Sequence, residues 1–133
     1  MGHRASFGLH FFNSLNEDVK LVPENGVEVY SPECFQPFDE QVVPPHEYYH
    51  AHKELIDYEE ADTLEETGPM QIINVIVGNE IAGCIYIIRA IVPDPIVSFG
   101  NNEESFFKLQ IQRSRFGGPI VLEIVPKCRR VPN

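Results

Sequence analysis

The chain has 133 residues, 43% of them hydrophobic, and a formal net charge of −10 at neutral pH. That length predicts a single domain, and that hydrophobic content excludes an intrinsically disordered chain. A strongly acidic chain is repelled by phosphate groups, so we expect no nucleic-acid partner. The charge is uneven: residues 1–66 hold fifteen acidic and three basic side chains (−12), whereas residues 67–133 hold five and seven (+2).

Short runs of β-branched or aromatic residues, separated by turn residues, predict strands along most of the chain. Phe7, Leu9 and Phe11 share one face of the first run, and an Asn-Gly turn follows the second. The predicted strands cover residues 6–12, 19–22, 27–30, 96–99, 107–112 and 120–125. We expect the first three of them to form an antiparallel meander.

Residues 46–66, after a proline-rich connection at 31–45, fit two different structures. As a helix, the stretch would align Tyr48, Tyr49 and His52 on one stripe. As a strand, it would place Tyr48, His50 and His52 on one face instead. Charged residues and poor strand formers fill the stretch, so the sequence favours the helix.

The most apolar stretch, residues 70–92, predicts a central hairpin that turns at Gly78 and Asn79. Side chains on both faces of each arm are apolar, and such a strand is normally covered on both sides, by another sheet, a helix or a partner chain. The polar residues Asn74, Glu80 and Arg89 interrupt the stretch, which argues against a membrane span.

Seven to eight short strands with turns at regular spacing predict a mainly β fold, an antiparallel β-sandwich or barrel. One helical or irregular insertion would occupy about residues 31–69. The whole chain, 1–133, would form one sandwich domain that ends in a mobile basic tail at 126–133.

The cysteines Cys34, Cys84 and Cys128 show no CxxC spacing, and the first residues lack the apolar run of a signal peptide. We therefore expect a cytoplasmic protein with reduced thiols, with Cys84 as a small residue of the core. Export without a visible signal is the alternative. It would suit a secreted toxin or effector sandwich with one disulfide between two of the three cysteines.

Residues 46–50 read H-E-x-x-H, the helical zinc-binding motif of the zincin metallopeptidases. On a helix, His46 and His50 could hold one Zn²⁺ while Glu47 acts as the general base of a small zinc-dependent hydrolase. Pro44 and Pro45 argue against this, because they disfavour a helical turn before the motif.

The strand alternative would instead make His46, His50 and His52 a non-catalytic metal site, because imidazoles suit borderline metals. The HxHxE string of residues 50–54 is faintly similar to the metal sites of cupins, although the later half of that motif is missing. The simplest interpretation is that these histidines face solvent without a ligand.

Charged residues supply the remaining candidate binding positions. They are Asp57, Glu59, Glu60, Asp62, Glu65 and Glu66 on the acidic side, and Arg113 and Arg115 on the basic side. They could pair within the chain or between subunits, and high salt would then weaken an oligomer. The sequence favours a non-catalytic binding or assembly module that acts through protein–protein contacts, by self-association at a strand edge or at the hairpin, without a cofactor.

Overall fold

The computed structural model describes residues 4–24, 38–56, 69–88, 96–112 and 120–127. Nine β-strands and no helix are found in these ranges. They are β1 (Arg4–Asn13), β2 (Val19–Pro23), β3 (Gln41–Val43), β4 (Tyr48–Ile56), β5 (Pro69–Val77), β6 (Glu80–Ile88), β7 (Ile96–Asn101), β8 (Phe107–Gln112) and β9 (Val121–Pro126). The prediction of a mainly β fold is confirmed.

The strands form two sheets that pack face to face. Sheet A has the order β4-β1-β9-β8, and sheet B has the order β3-β2-β5-β6-β7. The β1–β9 pair is parallel, whereas the other described pairs are antiparallel. Alternate side chains of both sheets meet in one core, and its largest fully buried members are Phe11, Leu9, Leu21, Ile73, Ile85, Ile87, Leu109 and Ile124. The predicted antiparallel sandwich is therefore confirmed, with one parallel pair.

The predicted central hairpin is present as β5 and β6. Gly78 occupies the turn with a φ of 62°, a conformation that glycine adopts without steric cost. Along β5 the buried residues Ile73, Val75 and Val77 face sheet A, whereas Ile72 and Ile76 lie on the opposite face and are half-buried. The prediction that both faces of this arm are apolar is confirmed.

The favoured helix is wrong for residues 48–56, which form strand β4. This strand pairs with β1 over nine positions, from Arg4 opposite Ile56 to Phe12 opposite Tyr48. Tyr49 and Ala51 pack against the core, so long-range pairing and burial outweigh a local composition that favours a helix. In the described part of the predicted insertion, residues 38–56, two strands and their turn stand where a helix was expected. Residues 31–37 and 57–68 lie outside the described ranges.

The predicted meander at the start of the chain is wrong for its first pair of strands. β1 belongs to sheet A and β2 to sheet B, so the chain crosses between the sheets through the turn at residues 14–18. The third strand predicted there, 27–30, lies outside the described residues. A crossing of this kind places consecutive strands on opposite sides of one core, as in sandwich folds.

Two asparagine side chains join the sheets at opposite sides of the sandwich. Asn13 of β1 is fully buried, and its Nδ2 donates to the carbonyl oxygen of Val43 in β3, at 2.9 Å. Asn101 of β7 accepts the amide N–H of Leu109 in β8 at 2.6 Å and donates to the carbonyl oxygen of the same residue at 3.1 Å. The sheets are thus connected by hydrogen bonds as well as by packing.

The start of the predicted mobile tail is held by hydrogen bonds. Nζ of Lys127 donates to the carbonyl oxygens of Asn102 and Glu103, at 3.2 and 2.9 Å. Its backbone N–H donates to the carbonyl oxygen of Phe106. Residues 128–133 lie outside the described ranges. Within those ranges, no helix is long and apolar enough to cross a membrane.

Candidate functional site

The outer face of sheet A carries three histidines where β1 and β4 pair. His10 lies directly opposite His50, and Gly8 lies opposite His52. Residues i and i+2 of a strand share a face, so all three imidazoles lie on the side away from the core. We call His10, His50 and His52 the imidazole cluster.

The rings of the imidazole cluster are in contact. Nδ1 of His10 lies 2.7 Å from Nδ1 of His50, so one of these nitrogens donates to the other when both rings are neutral. The ring centroids of His10 and His52 are 5.9 Å apart in an edge-on arrangement. Gly8 leaves room for both rings, because a Cβ there would lie 2.8 Å from Nε2 of His10 and 3.3 Å from Cε1 of His52.

Aromatic side chains flank the cluster along the same face. The ring of Tyr48 stacks on that of His50 with centroids 5.6 Å apart and planes 7° apart. Tyr48 also packs on Phe12 at 4.5 Å, and its hydroxyl oxygen lies 3.4 Å from Nε2 of Gln112. About half of the Tyr48 side chain is exposed, so this face combines imidazole and aromatic groups that solvent can reach.

The first two residues of the H-E-x-x-H motif lie in the turn before β4. His46 has a φ of 60°, and its Nε2 lies 2.9 Å from Oδ1 of Asn16. The turn is attached to Asn13, whose carbonyl oxygen accepts the N–H of His46 and whose N–H donates to the carbonyl oxygen of Glu47. The helix on which a zincin site depends is absent, and His46 and His50 have different partners.

Of the predicted metal ligands, the structure brings His50 and His52 to one face and places His46 in the turn. Among the described residues, no three histidine, cysteine, aspartate or glutamate side chains are arranged to hold one metal ion. His10 is a member of the cluster that the sequence did not predict. Gly8, His10 and Phe12 alternate with the buried residues of β1, and this pattern in the sequence indicates that His10 lies on the outer face. The contact of His10 with His50, however, joins residues forty positions apart, so local sequence could not predict it.

Cys84 is half-buried on the outer face of sheet B, so its prediction as a core residue is wrong. Its thiol donates to Oδ1 of Asn74 at 3.2 Å. Burial raises the pKa of the thiol, an effect that a hydrogen bond with Tyr86 partly opposes and that nearby Glu24 reinforces. A raised pKa keeps the thiol protonated at neutral pH, which lowers its reactivity.

The predicted charged binding positions lie outside the described residues. They are Asp57, Glu59, Glu60, Asp62, Glu65, Glu66, Arg113 and Arg115, and their pairing stays a prediction. Cys34 and Cys128 also lie outside the described residues.

We predict that the imidazole cluster makes the protein less stable in acid. Partial burial, and after it the charges of His50 and His52, lower the pKa of His10. The unfolded chain then binds a proton more readily than the folded one, so this contribution lowers stability as the pH falls below about 6.5. His10→Gln should therefore lose less stability between about pH 8 and about pH 5 than the parent protein.

Urea titrations at the two pH values measure this difference. His46→Gln is the matched control, because His46 lies outside the cluster. The prediction fails if His10→Gln and the parent protein lose equal stability on acidification.

No protein-family model, curated protein or solved structure matches this chain. The surfaces of the chain itself therefore have to indicate its function. The described chain offers two: the imidazole cluster of sheet A and the apolar outer face of sheet B.

Proposed function

We propose that the protein is a non-catalytic assembly module that associates with a second copy of itself through the outer face of sheet B. The supporting observation is the apolar character of that face. Its described apolar members are Val22, Val42, Ile72, Ile76, Ile81, Cys84, Tyr86 and Ile88. Val42 and Ile81 are 50% and 45% exposed, and the others are half-buried.

These side chains lie in rows that cross four strands, and each row also contains one polar residue, Lys20 or Asn74. One row joins Val42, Lys20, Ile76 and Ile81 from β3 through β6. A largely apolar surface of this kind marks contact sites, and a sheet that is apolar on both faces is normally covered on both.

The next row lies beside the first on the same face. It joins Val22, Asn74, Cys84 and Gly100 from β2 through β7. The Tyr86 ring lies against Gly100, where an added Cβ would be 3.4 Å away. The absence of a side chain at Gly100 therefore gives the Tyr86 ring its place on this face, where it can contact a second sheet.

Charge favours a second copy as the occupant. The chain as a whole carries −10, which would hold two molecules apart, but the described part of this face carries few charges. Lys20 lies near the start of β2 and Glu24 directly follows its end, so the two charges are on either side of Val22. In a dimer with a twofold axis near Val22, the lysine of each copy would lie close to the glutamate of the other, and a twofold contact is self-complementary in this way.

We expect Ile76→Lys to weaken self-association on the order of 100-fold. Each copy would bring one lysine into the interface, and the two unpaired charges would together cost about 3 kcal/mol. Sedimentation velocity over a range of protein concentrations measures the dissociation constant. Circular dichroism shows whether the variant keeps its strands.

The matched control is Ile111→Lys, because Ile111 is 54% exposed and lies on β8 of the other sheet. It should leave the dissociation constant within about twofold of the parent value. A parent protein that is monomeric at every concentration would overturn the proposal, and would indicate that this face is covered within the chain or by a different partner. Equal weakening by both variants would also overturn it.

A further inference from the structure

We propose that the imidazole cluster is a binding site for a square-planar divalent metal ion of the copper(II) type, with Nδ1 of His10 and Nδ1 of His50 as its two protein ligands. Nothing in the zincin motif supplies this pair, since His10 lies outside it. The inference is independent of self-association, which uses the other sheet.

The distance between the two ring nitrogens is close to that of adjacent ligands on one metal ion. They lie 2.7 Å apart, and both belong to residues that face each other directly across β1 and β4. For metal–nitrogen bonds of about 2.0 Å, adjacent ligands of a square-planar ion lie about 2.8 Å apart, whereas those of a tetrahedral ion lie about 3.3 Å apart. The separation of the pair thus matches adjacent ligands of copper(II) more closely than those of zinc, and metal binding would replace the hydrogen bond between the two nitrogens.

The surroundings hold the two rings in this position. Tyr48 stacks on the His50 ring almost in parallel, which fixes the plane of that ring. Gly8 leaves space for the His10 ring, where any larger residue would push against Nε2. Both histidines are on paired strands rather than on loops, and a site on regular elements keeps its geometry.

The ligand set also selects the class of metal. Imidazole nitrogens bind copper(II) more tightly than the other common divalent first-row ions. Because no three described side chains converge on one point, two positions of the square plane would be taken by water. The His52 ring packs edge-on against His10 and lies beside the site.

Calorimetric titration of the full, untagged chain with copper(II) chloride tests the site. Every protein in the series carries His3→Ala, because His3 is a further imidazole outside the described residues. We expect one copper(II) ion per chain and weaker binding of zinc chloride. His50→Gln should weaken copper(II) binding at least tenfold, and so should His10→Gln.

His46→Gln is the matched control, because His46 contacts Asn16 and lies outside the cluster. It should leave the affinity within about twofold of the parent value. Electron paramagnetic resonance of the copper-loaded protein should show coupling to two imidazole nitrogens, and this coupling should be reduced to one in His50→Gln. The absence of copper binding, or equal binding by the His46 and His50 variants, would overturn the proposal.

Discussion

Asn13→Ala should lower the free energy of unfolding by about 3–4 kcal/mol, more than most single substitutions do. The Asn13 side chain is fully buried and makes three hydrogen bonds. Its Nδ2 donates to the carbonyl oxygens of Glu17 and Val43, and its Oδ1 accepts the N–H of Leu15. Alanine would leave these backbone groups without their partner, and each buried unpaired group costs about 1–3 kcal/mol.

Urea denaturation followed by circular dichroism measures the loss. Asn16→Ala is the control within the same turn, because Asn16 is exposed and its described side-chain contact is with His46. It should cost less than about 1 kcal/mol. If the two variants were equally stable, Asn13 would not be the residue that holds the crossing between the sheets.

Gly83→Ala should destabilise the protein by about 3 kcal/mol. Gly83 is buried in β6, beside the register shift that separates Val75 from Ile76 in the pairing with β5. A Cβ at this position would overlap the carbonyl oxygen of Gly100 in β7 and would lie 3.1 Å from Cδ1 of Leu109. Relief would require movement of backbone in a packed sandwich, which makes the overlap costly.

Gly100→Ala is the matched control for this substitution. A Cβ at Gly100 would be 3.4 Å from the Tyr86 ring, an ordinary van der Waals distance. It should change the free energy of unfolding by less than about 1 kcal/mol. Denaturation midpoints of the two alanine variants give the comparison, and a smaller loss for Gly83→Ala than for Gly100→Ala would contradict the explanation.

The parts of the fold that were predictable depend on local signals. The hairpin of β5 and β6 has β-branched arms and a glycine at its turn, and β8 has a clear alternation of apolar and polar residues. Neither pattern needs information from distant parts of the chain. These elements accordingly agree with the sequence analysis in type and nearly in their bounds.

The strand β4 and the imidazole cluster could not be predicted in the same way. Composition near His50 favours a helix, and the strand exists because β1 offers nine pairing positions and the core accepts Tyr49 and Ala51. The register of that pairing decides which histidine faces which. A shift of one residue would move His50 to the opposite face, so the contact with His10 is a property of the tertiary structure alone.

The asparagine at the end of β7 also has a consequence for one edge of sheet A. Strand β8 is at the edge of sheet A in the described fold, and an exposed edge can template the addition of strands from other molecules. Asn101 occupies both the N–H and the carbonyl oxygen of Leu109, the pair that an incoming strand would need there. A side-chain amide thus occupies the backbone groups of one position within this edge, which hinders the addition of a further strand there.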